Sequence, residues 1–248
     1  MNVDQFSYNS LPFDIVLKIV SSLQVSDLCS LSSCSRFWRE LCGSDCIWEP
    51  LFRERWSLLT SFDVHSTLFP GNFQVWRSLY IMQHNRISDR ARTLITCVKH
   101  SSASRCLEAG VYLQAVEAMN SMHLGFQDVE LFFFRQNPDA LLNAIGLIYC
   151  ICQLKVPGKQ IYDALIRCKI SEQQVWVRWW KLGRWSRVGR MRDEATSRQV
   201  SFMDLATGKE ETVLRVLQRG VVHEILRVCI STVDPASTPC SSSSVRNY

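Results

Sequence analysis

The chain has 248 residues, 47% of them hydrophobic and 21% charged, a composition that can bury the core of one large domain or two small ones. Its longest apolar stretches, such as Ala140–Leu154, are too short or too interrupted to span a bilayer, and Met1–Ser10 lacks the pattern of a secretory signal. A net charge of +5 is too mild to name a partner by itself, so where the charge lies matters more than its sum.

The N-terminal block is dense in helix punctuation. Leu11-Pro12 opens it, since a proline in the first turn removes no intrahelical hydrogen bond, and Asp14 places negative charge near the positive end of the helix dipole. Leu11, Ile15, Val16, Ile19, Val20 and Leu23 then recur at helical spacing. Ser26-Asp27 starts a second helix with Leu28 and Leu31, and a third runs through Phe37, Trp38 and Leu41 to Gly43, expected as a left-handed terminator. Trp48, Leu51, Phe52 and Trp56 make a fourth apolar stripe.

Longer helices are predicted from Asn72 to about His100, at Ala103–Met119, at Pro138–Leu154 and at Gly158–Cys168, with turns at Pro70-Gly71 and Pro157-Gly158. After Ser171 the texture changes. Val175–Trp185 and Val222–Ile230 read as strands, with a helix at Glu210–Gln218 closed by Gly220. The tail after Ser231 is rich in serine and proline and is expected to be disordered. The fold class predicted is mainly α with a smaller α+β C-terminal portion. The segments are 8–58, a helical middle at 59–170, a mixed region at 171–231 and the tail at 232–248. No repeat is visible that would make a solenoid or propeller.

Eleven cysteines are scattered through apolar segments and odd in number, which fits small buried hydrophobes better than a disulfide framework. Cys42-x-x-x-Cys46 has no second ligand pair nearby, so no metal site is expected. His65, His84, His100, His123 and His223 stand apart from any nucleophile or carboxylate, and no phosphate-binding glycine loop occurs. Neither a catalytic residue nor a cofactor is predicted.

The ordered run Leu11-Pro12-Phe13-Asp14-Ile15-Val16, Ile19, Leu23, Leu28, Leu31, Cys34-Ser35-Arg36-Phe37-Trp38-Arg39, Leu41 and Trp48 resembles an F-box. Asp14 stands where glutamate is commoner and Cys34 where valine is common, and both changes keep the chemistry of the position. The resemblance covers Tyr8 to Trp56, about a fifth of the chain. It implies a non-catalytic subunit of a ubiquitin ligase, in the nucleus and/or cytoplasm, that binds a Skp-type adaptor and through it cullin. The adaptor-binding residues it implies are Leu11, Pro12, Ile15, Ile19, Leu28, Leu31, Trp38 and Leu41. A helix trio this short cannot bury all of these, and a leftover apolar patch marks a partner surface. Trp179–Trp185 and Arg219–Glu224 are faintly similar to plant F-box proteins without substrate-binding repeats.

Outside that block the sharpest feature is Arg178–Arg192, which mixes six basic residues with Trp179, Trp180 and Trp185 before Asp193 and Glu194. Three readings stay open: a structural sheet with arginines stacked on tryptophans, a protein-substrate surface, or a single-stranded nucleic-acid site. Trp179, Trp180, Arg184 and Trp185 are the candidate substrate-binding residues. Trp176, Trp180 and Leu182 share one strand parity, Trp179 and Trp185 the other, so both faces of such a strand need cover. The function expected is a substrate-recruiting F-box adaptor. The alternatives are a nucleic-acid-binding protein or an F-box protein with a scaffold role and no ubiquitination.

Overall fold

The computed structural model describes residues 12–56, 75–102, 105–136, 140–183, 185–186, 189–190, 193–219 and 225–234. They belong to two compact units, Met1–Arg86 and Ile87–Tyr248. Leu11, residues 57–74 and residues 235–248 of the predicted tail lie outside the described residues.

In the first unit α1 (Phe13–Ser21), α2 (Val25–Ser32), α3 (Arg36–Cys42) and α4 (Asp45–Arg55) follow in close succession, and α5 (Val75–Ser101) begins. The Pro12 carbonyl accepts the amides of Ile15 and Val16 at 3.0 and 3.1 Å, so the proline ring sits where no helical amide is lost. Val16 and Val20, a turn apart, are buried with Leu28 of α2 and Leu41 of α3. The Ser35 hydroxyl caps α3 by accepting the Trp38 amide at 3.3 Å. Trp48 is the anchor of α4: its indole N–H donates to the Cys42 carbonyl at 2.6 Å, and Tyr80 of α5 packs edge-on at 5.2 Å. Gly43 corrects the expected left-handed terminator. It is buried and right-handed at φ −88°, and only Gly43 and Ser44 separate α3 from α4.

The second unit is organised around one helix. Its elements after α5 are β1 (Cys106–Glu108), α6 (Ala109–Ser121), α7 (Phe126–Phe132), α8 (Ala140–Cys152), α9 (Gly158–Arg167) and β2 (Gln174–Lys181). Next come β3 (Trp185–Ser186), β4 (Gly189–Arg190), β5 (Glu194–Ser201), α10 (Phe202–Ala206), α11 (Glu211–Arg219) and β6 (Ile225–Ser231). Every residue of α8 from Leu141 to Cys150 is buried, and the helix packs against α6, α7, α9, α10, α11 and β2. A helix that is apolar all round must sit at the centre of its neighbours. Its one buried amide, Asn143, is fully used: it accepts the Arg135 amide at 3.1 Å and donates to the Arg135 carbonyl and to Gln173. Among the described residues, no helix is long and apolar enough to cross a membrane.

The antiparallel sheet has the order β1-β6-β2-β5. Leu107, Ile230 and Val177 align across three strands, with Val175, Val228, Trp179 and Val200, as a buried face toward the helices. Strands from both sides of residue 171 therefore share one sheet. β3 and β4 form a separate two-stranded ribbon in which Gly189 takes φ +136°, a conformation that favours glycine.

Several boundaries differ from the sequence expectation. The predicted helix at Ala103–Met119 begins only at Ala109, because Cys106–Glu108 pairs with the distant β6 and buries Leu107 on the sheet. The strand expected over Val175–Trp185 ends at Lys181, and Trp185 belongs to the ribbon. β5, α7 and α10 were not anticipated. In β5 Val200 alone is buried, so no alternating apolar pattern exists to signal the strand. Ser231 and Thr232, at the start of the expected tail, are held in place: Ser231 pairs with Cys106 and Trp176, and the Thr232 amide donates to the Arg105 carbonyl at 3.2 Å.

Candidate protein-binding faces

The first candidate is made of exposed apolar side chains on α1 and α3. Helical periodicity puts Val16 and Val20 inward, which leaves Ile15 and Ile19 on another side at 43% and 50% exposure. Phe13, just after Pro12, is 63% exposed, and Phe37 at the start of α3 is 41% exposed. Phe37 touches Trp38 edge-on at 5.2 Å, and Trp38 is half-buried. Of the residues expected to bind an adaptor, Pro12, Ile15 and Ile19 are exposed, Leu31 and Trp38 are half-buried, and Leu28 and Leu41 are core. The Ser35 cap sets the start of α3 at Arg36, which puts Phe37 and Trp38 in its first turn. Phe13 and Phe37 belong to the F-box-like run but were not among the expected adaptor-binding residues, although both are large, apolar and exposed.

The second face is the side of the sheet away from α8. Side chains alternate along β2, so Val175, Val177 and Trp179 are buried while Trp176, Arg178 and Trp180 are half-buried on the other side. Across the strands they meet Ser231, Cys229 and Arg227 of β6 and Gln199, Ser197 and Ala195 of β5. The Arg178 and Arg227 guanidinium groups lie 4.6 and 5.2 Å from the Trp180 ring centroid, and Arg227 also pairs with Glu108 of β1. Two cations at the ring favour one orientation of the indole plane.

Of the sequence candidates, Trp180 therefore lies on this face and Trp179 on the covered one. Arg184 lies outside the described residues, and Trp185 is placed as backbone in β3. Trp176 was counted among the tryptophans of this region and by strand parity, but not among the candidate substrate-binding residues. Arg227 had no local signal, because it reaches Trp180 through the strand pairing and not through sequence proximity. The loop after β2 is fixed by Asp193, whose carboxylate accepts the Gly183 amide at 2.8 Å.

Other titratable groups serve the fold. His100 and His123 contact backbone carbonyls of their own segments through Nδ1, while His65 and His223 lie outside the described residues. Burial raises the thiol pKa of Cys42, Cys150 and Cys152, which keeps them protonated and unreactive. Among the described residues no group of His, Cys, Asp or Glu is arranged to hold a metal ion.

A family model described as F-box-like matches residues 8–54, which contain α1, α2, α3 and nearly all of α4. No curated protein and no solved structure matches the chain. The punctuated helices, the exposed apolar side chains and the matched segment coincide, and the chain carries an F-box-like domain at residues 8–54.

Proposed function

We propose that this chain is the non-catalytic, substrate-recruiting subunit of a Skp–cullin–F-box ubiquitin ligase, acting in the nucleus and/or cytoplasm. The observation that carries the reading is the exposure of Phe13, Ile15, Ile19 and Phe37 within the F-box-like segment. A Skp-type adaptor covers that face. Burying such side chains completely contributes roughly 1.5–3 kcal/mol each before association costs. The chain's own contribution to the reaction is proximity: it holds a protein target near the ubiquitin-conjugating enzyme that the cullin assembly recruits.

The target-binding surface on this reading is the open sheet face with Trp176, Trp180 and Arg178. Tryptophan and arginine combine large contact area with directed polar contacts and dominate protein-binding hot spots. The adaptor half is tested by Ile15→Asp with Ile19→Asp in the full chain. Loss of co-purification with a purified Skp-type adaptor, at an unchanged circular dichroism spectrum, supports it; undiminished binding refutes it. The target half is tested by Trp176→Ala with Trp180→Ala, which should keep the adaptor, lose captured partners and stop their ubiquitination in a reconstituted ligase. Binding of single-stranded nucleic acid with a steep salt dependence at these residues would favour the alternative reading.

A further inference from the structure

Two cysteines stand on the open side of the sheet, beside the tryptophans and arginines of the second face. Cys106 of β1 is opposite Ser231 of β6, and Cys229 is opposite Glu108. With a side-chain period of two, Cys106, Glu108, Arg227, Cys229 and Ser231 share the open side of the sheet. Cys106 and Cys229 are thus diagonal neighbours. Glu108 and Arg227 form the same diagonal one rung further along, and there the side chains meet in an ion pair. The twist of the sheet therefore brings this diagonal together, and the Cys229 thiol hydrogen-bonds to the Cys106 sulfur.

The environment of the two sulfurs differs. Cys106 is half-exposed, whereas Cys229 is buried at 7% exposure. The Cys229 hydrogen bond, and then Arg227 and Arg178, hold the Cys106 thiol down at about 7 against the opposing effects of burial and Glu108. Cys229 is held well above its ordinary value, first by donating a hydrogen bond to Cys106 and then by burial. An accessible thiolate beside a protonated thiol within reach is the arrangement of an attacking and a resolving cysteine.

We propose that Cys106 and Cys229 form a peroxide-oxidisable dithiol that closes to a disulfide joining β1 to β6. The Cys106 thiolate attacks one oxygen of hydrogen peroxide, breaking the O–O bond and leaving Cys106 sulfenic acid and hydroxide. Cys229 then loses its proton and its sulfur displaces the hydroxyl of the sulfenic acid, forming the S–S bond and releasing water. Two thiols lose two electrons in all, and one peroxide becomes two waters. Diagonal positions are about 7–8 Å apart at Cα, and a disulfide needs about 4.4–6.8 Å. Closure therefore draws the strands together, and β1 is the piece that yields: it has three residues and, among the described strands, pairs with β6 alone. A bond closed against such resistance is easily reduced again by a small thiol.

The test exposes the full chain to equimolar hydrogen peroxide at neutral pH, blocks remaining thiols with N-ethylmaleimide and maps the peptides by mass spectrometry. The expected product is a Cys106–Cys229 cross-linked pair that dithiothreitol reverses, formed about fivefold faster than oxidation of the exposed Cys29, Cys34, Cys46 and Cys97. In Cys229→Ser the reaction should stop at Cys106 sulfenic acid, trapped as a dimedone adduct. Oxidation of Cys106 no faster than those exposed cysteines overturns the proposal, as does its pairing with any cysteine other than Cys229. The wild-type measurement decides even if a variant fails to fold.

Discussion

The carboxylate of Asp45 accepts the backbone amide of Trp76 at 3.0 Å and, through its other oxygen, that of Val75 at 3.3 Å. A residue in the first turn of α4 thereby caps α5, satisfying amides that have no partner within their own helix. Asp45→Ala should cost about 1–2 kcal/mol, read as a shift in the denaturation of the first unit by tryptophan fluorescence. Asp45→Asn should recover most of the loss, because the amide oxygen still accepts.

Two buried tyrosines predict alkaline sensitivity in the second unit. Tyr112 donates its O–H to the Leu217 carbonyl at 3.1 Å and Tyr149 to the Leu124 carbonyl at 2.9 Å. Burial raises both pKa values, that of Tyr149 from 10.0 to about 12. A pKa raised by folding means that the folded state favours the neutral phenol. The contribution is therefore complete below pH 10.0 and is lost as pH rises toward about 12. Urea midpoints should hold on the acid side of this window and fall within it, by up to about 1.4 kcal/mol per pH unit for each tyrosine. Tyr149→Phe should lower stability by about 1 kcal/mol at neutral pH and flatten the alkaline decline.

Gly158 and Gly110 should respond to alanine in opposite directions. A Cβ at Gly158, the first residue of α9, would lie 2.6 Å from the Ala206 carbonyl oxygen of α10. Backbone cannot step aside as a flexible side chain would, so Gly158→Ala should destabilise by about 1–3 kcal/mol. A Cβ at Gly110 in the first turn of α6 meets nothing within 4 Å. Gly110→Ala should add up to about 1 kcal/mol by restricting the unfolded chain. Thermal melts of the two variants check both signs.

Truncation should locate the end of the folded unit. Stopping after Asp234 keeps the Ser231 pairings and the Thr232 hydrogen bond to Arg105, and the melting temperature should stay unchanged. Stopping after Ile230 removes both and should lower it by several degrees.

The N-terminal helices were legible because their cues are local. Pro12, Ser35 and the spacing of Val16 and Val20 act within one turn, and the structure puts α1, α2, α3 and α4 where those cues point. The long apolar run of α8 announced itself for the same reason. What escaped depends on distant partners. Cys106–Glu108 is strand because β6 lies beside it, and β5 carries exposed polar side chains that any loop could carry. The sheet face was half readable: alternation separates Trp179 from Trp180, but which parity faces the helices follows from Val175 and Val177 packing toward α8. Arg227 at the ring of Trp180 needed the register of two strands far apart in the chain.

The sheet order has a consequence for synthesis. β6 comes last in chain order among the described strands but lies between β1 and β2, pairing with each. Until residue 231 has left the ribosome, β1 has no partner and β2 can pair on its β5 side alone. Leu107 and Val177, which flank Ile230 in the finished row, remain uncovered on that side in the meantime. Contacts of such high sequence separation slow folding, because the intervening loop must close before any gain is collected. The helices around α8 therefore have time to assemble first, and the arrival of β6 becomes the step that commits the second unit to its native state.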